Sequence, residues 1–512
     1  MKPRHRHLRT SAFAALVALA PLATACGTDS TDESQTTLRT IQGLTPSQFD
    51  PCGSPNGSET AYMAAIYAPL IRTAPDTGEL SPGIATDWEF SNELQTLTLT
   101  LQTGLRFQDG TTLDAEAAKR SIEQCLDMET QRIPGLESIS AEGEDTLVFD
   151  TSTPNSGLPA LLGSRLGMLA SPTAREERGE EFGAEPVGAG PFQLDEFVPG
   201  SSISLTSWDE YQEAGLPEAK VDRIESEIIS DPSAQEAALT GGQADFGWRL
   251  DYSMPSSLEG TGIHVEHNLG VSMSDLNIDR SQGPLQDKKI RQALSYAIDR
   301  EALAQANTSG LSDVGAVQPY PPGHRLHFDE LDDTYEHDPD KARELLDEAG
   351  HPDGLTLRGV SLDAPSFVNN GVVISEQLAE VGIEVDFEAK DVAEASKDFY
   401  VNHEYDLIST GMNSGPDWLS IYRRILTTES SGNSGNVPVP GGEEALERAS
   451  SASSDAELEE ALKEADEVIQ EELPIIPLYY SPTVSAWGDN VTGGEESVAL
   501  NGEADLTALG LR

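Results

Sequence analysis

Cysteine is scarce, with three in 512 residues: Cys26, Cys52 and Cys125. Neither their spacing nor their surroundings suggests a metal. Basic residues are few as well, 32 Lys and Arg against 88 Asp and Glu. Leaving out Lys2, Arg4, Arg6 and Arg9 at the start, 28 remain against 88, a formal charge of −60. A polyanion of that size repels phosphate backbones and anionic headgroups, which excludes nucleic acid as a natural partner. The carboxylates are spread along the chain, as on a solvated surface, rather than gathered in one tail. A salty exterior, where screening removes most self-repulsion, is one physical reason for such a surface. A high-GC genome with few lysines gives part of the same signal.

Long apolar runs are also missing. After Ala25 nothing approaches the ~20 apolar residues needed to cross a bilayer, so the rest of the chain is expected to be soluble. Catalytic signatures are absent: there is no G-x-S-x-G and no G-x-x-x-x-G-K. "VGAGPF" (Val187 to Phe192) lacks the third glycine and following helix of a dinucleotide site. His264 and His267 lie three apart in an expected strand, on opposite faces, and cannot converge on one metal. His324 and His327 fall in the stretch from Gly323 to Asp338, which reads as a long polar surface loop. Solvated histidines are the commoner case there. Among 88 carboxylates, close acidic pairs arise by chance. No enzyme, cofactor or metal is expected.

What is present begins at the N-terminus. Four basic residues precede "SAFAALVALAPLATA" (Ser11 to Ala25), the layout of a secretory signal and too short for a stable membrane anchor. Cys26 follows the small residues, a thiol placed for lipidation as in a bacterial lipobox. Ala23 stands where the usual leucine would be, with Leu22 one position earlier. The other reading is ordinary secretion with Cys26 incidental. Residues 26–37 are polar and aperiodic, a tether. The remaining pair, Cys52 and Cys125, invites a disulfide in an exported chain; two unrelated thiols is the alternative.

"TLTLTLQT" alternates, placing Leu97, Leu99 and Leu101 on one face of a strand. "DAEAAKRSIEQCLD" reads as the helix after it. Asp338, Pro339 and Gly350 punctuate a helix whose Ala342, Leu345, Leu346 and Ala349 form one apolar stripe. The sequence continues as strand "GLTLRGVSL", helix "GVVISEQLAEVG", strand "IEVDFEAK", helix "VAEASKDFYV" and strand "YDLIST". This βαβαβ order demands a parallel sheet with right-handed crossovers. Ligands of such sheets sit outside the carboxyl ends of the strands. The loop "GMNSGPDW" (Gly411 to Trp418), leaving the last strand, is therefore the pocket candidate. "DAELEEALKEADEVIQEELP" is one more helix, with Asp455 as its cap, and "IIPLYY" a buried strand.

Four segments carry a family resemblance. "GIATDWEFSNELQTLTLTLQTGLRFQDGTTLDAEAAKRSIEQC", "PVGAGPFQLDEFVPGSSISLTSWDEY", "DKKIRQALSYAIDREAL" and "ELPIIPLYY" resemble, in this order, segments of family 5 solute-binding proteins of ABC importers. They span roughly residues 40 to 490. The resemblance implies an α/β, two-lobed periplasmic-binding-protein-like fold (type II, large cluster C type). Mixed sheets with hinge crossings near "SDLNID" and "PIIPLYY" would join the lobes. Residues 1–25 would then be the signal peptide and 26–37 the lipidated tether. Residues 38–267 would form the first part of the large lobe, 268–479 the second lobe, and 480–512 the return. It further implies a monomer on the outer face of the membrane, held only by the lipid on Cys26, handing its solute to a permease and ATPase complex.

Peptide-binding members of the family carry an acid that pairs with the peptide's ammonium group. Here Met412 stands at that place, and Gly415 replaces a second acid. Where some dipeptide binders carry arginine for the carboxylate, this chain has Val368 and Asn369. A buried charged ligand end without a counter-charge costs several kcal/mol, about 3–5 where one partner of an ion pair is missing. A free dipeptide held at both ends is disfavoured; Asp417 could substitute after a small shift. The expected site is Met412, Asn413, Ser414, Asp417 and Trp418, faced by Trp248 and Arg249 across the cleft, with Asn277 at the crossing. The expected ligand is a peptide, alternatively a neutral or non-peptide solute of a same-fold receptor; a secreted hydrolase is the remote third reading.

Overall fold

The computed structural model describes residues 36–53, 58–74, 79–128, 131–212, 217–312, 314, 318–413, 418–430, 432–498 and 503–512. The signal stretch, Cys26, and Ser414 to Asp417 lie outside them.

A ten-stranded mixed sheet organises residues 36–512. At one end, Thr37–Gln42 pairs in parallel with Arg223–Ile228 and with Phe246–Trp248. At the other, Leu355–Leu362 pairs in parallel with Ile383–Lys390 and Leu407–Asn413, which is the βαβαβ unit read from the sequence. Between them run two long antiparallel strands, His264–Ile278 and Ile475–Trp487, each belonging to both ends. Their ladder breaks midway. Leu269 faces Pro482, the next pair is Met273 with Tyr480, and only Ser481 opposes the three residues from Gly270 to Ser272. Pro482 has no N–H to give, so a bulge there is what a sheet tolerates.

The apolar side chains gather accordingly. One core takes residues from Leu38 to Trp248 together with Trp487 to Leu509. A second, on the other side of the break, is built from residues between Leu276 and Tyr479. Leu97, Leu99 and Leu101 point into the first core from a four-stranded antiparallel sheet, as their alternation requires. Cys52 and Cys125 are joined by a disulfide within it.

Local signals set most boundaries. Asp114 accepts from the Ala117 N–H and starts Ala115–Asp127. Asp338 caps Pro339–Glu348 through the Lys341 N–H, with Pro339 in the first turn. Three expectations need correction. Ser454, not Asp455, caps the helix Asp455–Glu472, its hydroxyl accepting from the Glu457 N–H. The helix expected from Gly371 begins six residues earlier, at Pro365. Proline at the first position presets the helical φ, which outweighs the polar Ser366, Asn369 and Asn370 that follow. The stretch Gly323 to Asp338 is not a bare surface loop: Leu326 and Tyr335 are buried, and Asp329–Tyr335 forms a 3-10 helix.

Candidate ligand-binding site

A cavity of about 270 Å³ opens where the long strands lose register. That volume falls just below the range of small-molecule pockets, ~300–1,000 Å³. Ser272 and Ser481 flank the break, and Gly411 and Met412 contribute the carboxyl end of the Leu407–Asn413 strand. Ser366 and Phe367 enter from the first turn of Pro365–Glu380; Asn307 and Thr308 enter from the end of Arg300–Thr308. Tyr252 faces them from the segment after Phe246–Trp248. The wall is tight at Gly411, where a Cβ would sit 3.0 Å from the Met273 carbonyl oxygen and 3.3 Å from the Phe367 ring.

The polar wall is a connected network of neutral groups. Asn370 Nδ2 donates to Ser274 Oγ at 2.8 Å, and its Oδ1 accepts from Asn307 Nδ2 at 2.8 Å and from the Tyr479 hydroxyl at 3.2 Å. Asn369 Nδ2 donates to Asn307 Oδ1 at 2.9 Å. Asn370 is fully buried, so these bonds fix which side of its amide faces which neighbour. Burial pushes the Tyr252 phenol up to about 12, with Tyr479 adding to the rise and Arg249 opposing it. Burial also raises Tyr479, opposed by its hydrogen bonds with Ser274 and Asn370. Both hydroxyls keep their protons at neutral pH. The described lining residues carry no ionised side chain.

Of the residues expected from the sequence, Met412 lines this cavity. Asn413 ends the strand, paired with Ser272, while Ser414 and Asp417 lie outside the described residues. Trp418 opens the helix Trp418–Leu426, nearly buried, with the Arg325 guanidinium 4.0 Å over its ring. That cation–π stack is a packing role. Trp248 is fully buried, 5.6 Å from the Tyr62 ring, and its indole N–H has no partner among the described residues. Arg249 has φ +50° and donates from Nε to Glu503 Oε1 at 3.0 Å. Burial lifts the Glu503 carboxyl, and Arg249 pulls it back down.

Asn277 sits on the face of its strand opposite to Ser274, because side chains alternate with period two. There it is buried and donates to the Asp275 carboxylate. The residues that sequence reasoning missed are Ser274, Asn307, Asn370 and Tyr479. A signal for one existed: adjacent Asn369 and Asn370 inside a helix are poor helix formers that want side-chain partners.

Comparison with known proteins identifies the family and the fold. The sequence pattern described as "Bacterial extracellular solute-binding proteins, family 5 Middle" matches residues 79–434. Among curated proteins, the glutathione-binding protein GsiB of Shigella flexneri serotype 5b is 26% identical over 461 residues, covering 87% of this chain and 89% of that protein. Among solved structures, the A. tumefaciens binding protein AgaA, in complex with agropinic acid, superposes with a TM-score of 0.78 at 23% identity, covering 93% of this chain and 99% of that one. The Helicobacter pylori periplasmic binding protein DppA, in complex with the peptide STSA, gives a TM-score of 0.77 at 21% identity, covering 94% and 99%. Among the described residues no helix is long and apolar enough to cross a membrane. The family pattern covers more than half of the chain, and the protein belongs to the bacterial extracellular solute-binding proteins, family 5: it is an extracytoplasmic substrate-binding protein of an ABC importer, and it is not an enzyme.

Proposed function

We propose that this protein captures a peptide, holding it through backbone amides rather than through charged ends. The observation that carries this reading is the uncharged cavity wall, where Tyr252, Ser272, Ser366 and Ser481 bring hydroxyls, the Asn370 network braces the side behind them, and the described lining residues carry no counter-charge. A peptide amide offers one donor and one acceptor per residue and pairs with such a wall without desolvating a full charge. GsiB, named for glutathione, and DppA, solved with STSA, are consistent with peptide-sized ligands. A neutral non-peptide solute remains the second reading, because the same wall accepts any group rich in carbonyls and hydroxyls.

The test is calorimetry with a tetrapeptide and its N-acetylated, C-amidated form. Comparable affinities are expected, with Asn307→Ala weakening both by about 1–3 kcal/mol, as lost hydrogen bonds to a buried partner do. Asp417→Asn is expected to change the blocked peptide's affinity little. A loss of binding on blocking would mean that the ends are recognised after all. No saturable binding of either peptide would remove the peptide reading.

On this reading residues 38–267 and 480–512 form one lobe, residues 268–479 form the other, and the register break between them is the hinge. The protein works as a monomer, tethered by a lipid on Cys26 after removal of residues 1–25, beside its permease and ATPase. Cys26→Ala is expected to release the protein into the medium. If the variant fractionates with membranes as the wild type does, the anchor is not this cysteine.

A further inference from the structure

The segment after Gln318 holds an arrangement that solute capture does not use. The His327 side chain is 1% exposed. Its Nδ1 lies 2.9 Å from the Tyr320 carbonyl oxygen, which can only accept, so Nδ1 carries a hydrogen. In the neutral ring Nε2 is then a lone pair, and it faces acceptors: Asp332 Oδ1 at 3.0 Å and Asp329 Oδ1 at 3.8 Å. No hydrogen-bond donor among the described residues reaches that nitrogen. A buried lone pair aimed at two carboxylates is repulsive unless something positive lies between them.

The local structure explains how the three groups meet. Asp329 and Asp332 are three residues apart at the start of the 3-10 helix Asp329–Tyr335, and a turn of three residues stacks them on one side. Gln318, fully buried, donates from Nε2 to Asp332 Oδ1 at 3.0 Å and accepts from the Phe328 N–H at 2.9 Å, which fixes that carboxylate. One atom from each of His327, Asp329 and Asp332 lies within 4.8 Å of the others. A histidine that gives its second N–H to a backbone carbonyl, beside a carboxylate oriented by an amide, is how metal-ligating side chains are held from behind.

We propose that His327, Asp329 and Asp332 form a binding site for a divalent transition-metal ion. Imidazole with two carboxylates suits a borderline ion such as Zn²⁺ or Mn²⁺, with water completing the shell, and disfavours the all-oxygen preferences of Ca²⁺ and Mg²⁺. His324, three residues earlier, is not a member: it stacks on Tyr320 at 4.3 Å, and its Nδ1 accepts from the Leu326 N–H. The competing occupant is a proton on Nε2, which would make an imidazolium ion pair with no metal affinity.

The experiment is calorimetric titration of the chelator-stripped protein with Zn²⁺ in excess Mg²⁺, which occupies the nonspecific sites of so acidic a surface. One saturable site is expected in the wild type, lost in Asp332→Asn and weakened roughly tenfold or more in Asp329→Asn. Asp329 is 92% exposed, so its substitution tests the site without threatening the fold. His327→Gln, checked for native circular dichroism, should also lose the site. No Zn²⁺ binding, or one isotherm shared by the wild type and Asp329→Asn, overturns the proposal and leaves the imidazolium ion pair.

Discussion

Removing the Cys52–Cys125 bridge is expected to cost the folded chain about 4 kcal/mol. The bridge closes 73 residues of sequence, and in the chain-entropy treatment a loop of that length loses about that much unfolded-state freedom. Its surroundings give little room to relax. Cys125 lies on the buried face of Ala115–Asp127. The Cys52 N–H donates to Asp50 Oδ1 at 2.9 Å, and the Asp50 carboxylate is held by Arg175 at 2.8 Å. The Cys52→Ala/Cys125→Ala double variant avoids leaving a lone thiol in the core. Its urea midpoint should fall well below that of the oxidised wild type and coincide with that of the reduced wild type. Coincidence of all three curves would mean that the bridge carries no stability.

The second large effect concerns Asp275, fully buried on the His264–Ile278 strand with neighbours on both sides, Thr410 and Pro477. One carboxylate oxygen accepts from Asn277; the other has no partner among the described residues. Burial pushes its pKa from the ordinary 3.8 up to about 7, and the Arg424 charge opposes the rise only in part. Between these values the folded state holds a proton that the unfolded state has released. The stability tied to that proton is therefore fully present below about pH 4, falls as pH rises toward 7, and is gone above the folded value. That difference in proton affinity corresponds to roughly 4 kcal/mol.

Asp275→Asn removes that titration. The variant should match the wild type near pH 4 and exceed it by a few kcal/mol above pH 7, read from urea midpoints across the range. Burial also raises Asp466 and Glu503, so the wild-type slope has other contributors of the same sign. The difference between the two proteins isolates Asp275. Parallel curves would mean that its carboxyl is not protonated in the folded state at neutral pH.

Much of this was legible in the residues. Strict alternation in "TLTLTL" needs no tertiary information, since period two alone sends three leucines to one face. The Asp338-Pro339 start and the helices and strands of the βαβαβ unit follow from caps and periodicity, and with them the carboxyl end where Gly411 and Met412 stand. The resemblance of four ordered segments gave the family and the α/β fold class with mixed sheets. The cavity wall was less legible. Asn277, expected at the lobe crossing, is buried beside Asp275 on the strand face opposite to Ser274, and no sequence pattern fixes parity in a strand buried on both faces.

Sequence by itself therefore determined most of the elements, the family and the excess of carboxylates. Each of these depends on local spacing or on composition, which a chain carries before it folds. The tertiary structure decided which distant residues meet. It brought Asn307, Asn370 and Tyr479, more than a hundred residues apart at the extremes, into one neutral network. It also buried His327 against Asp332 in what reads as a polar loop. The network depends on where two long strands lose register and on which side chains that break leaves near one cavity, and such geometry exists only in the assembled sheet.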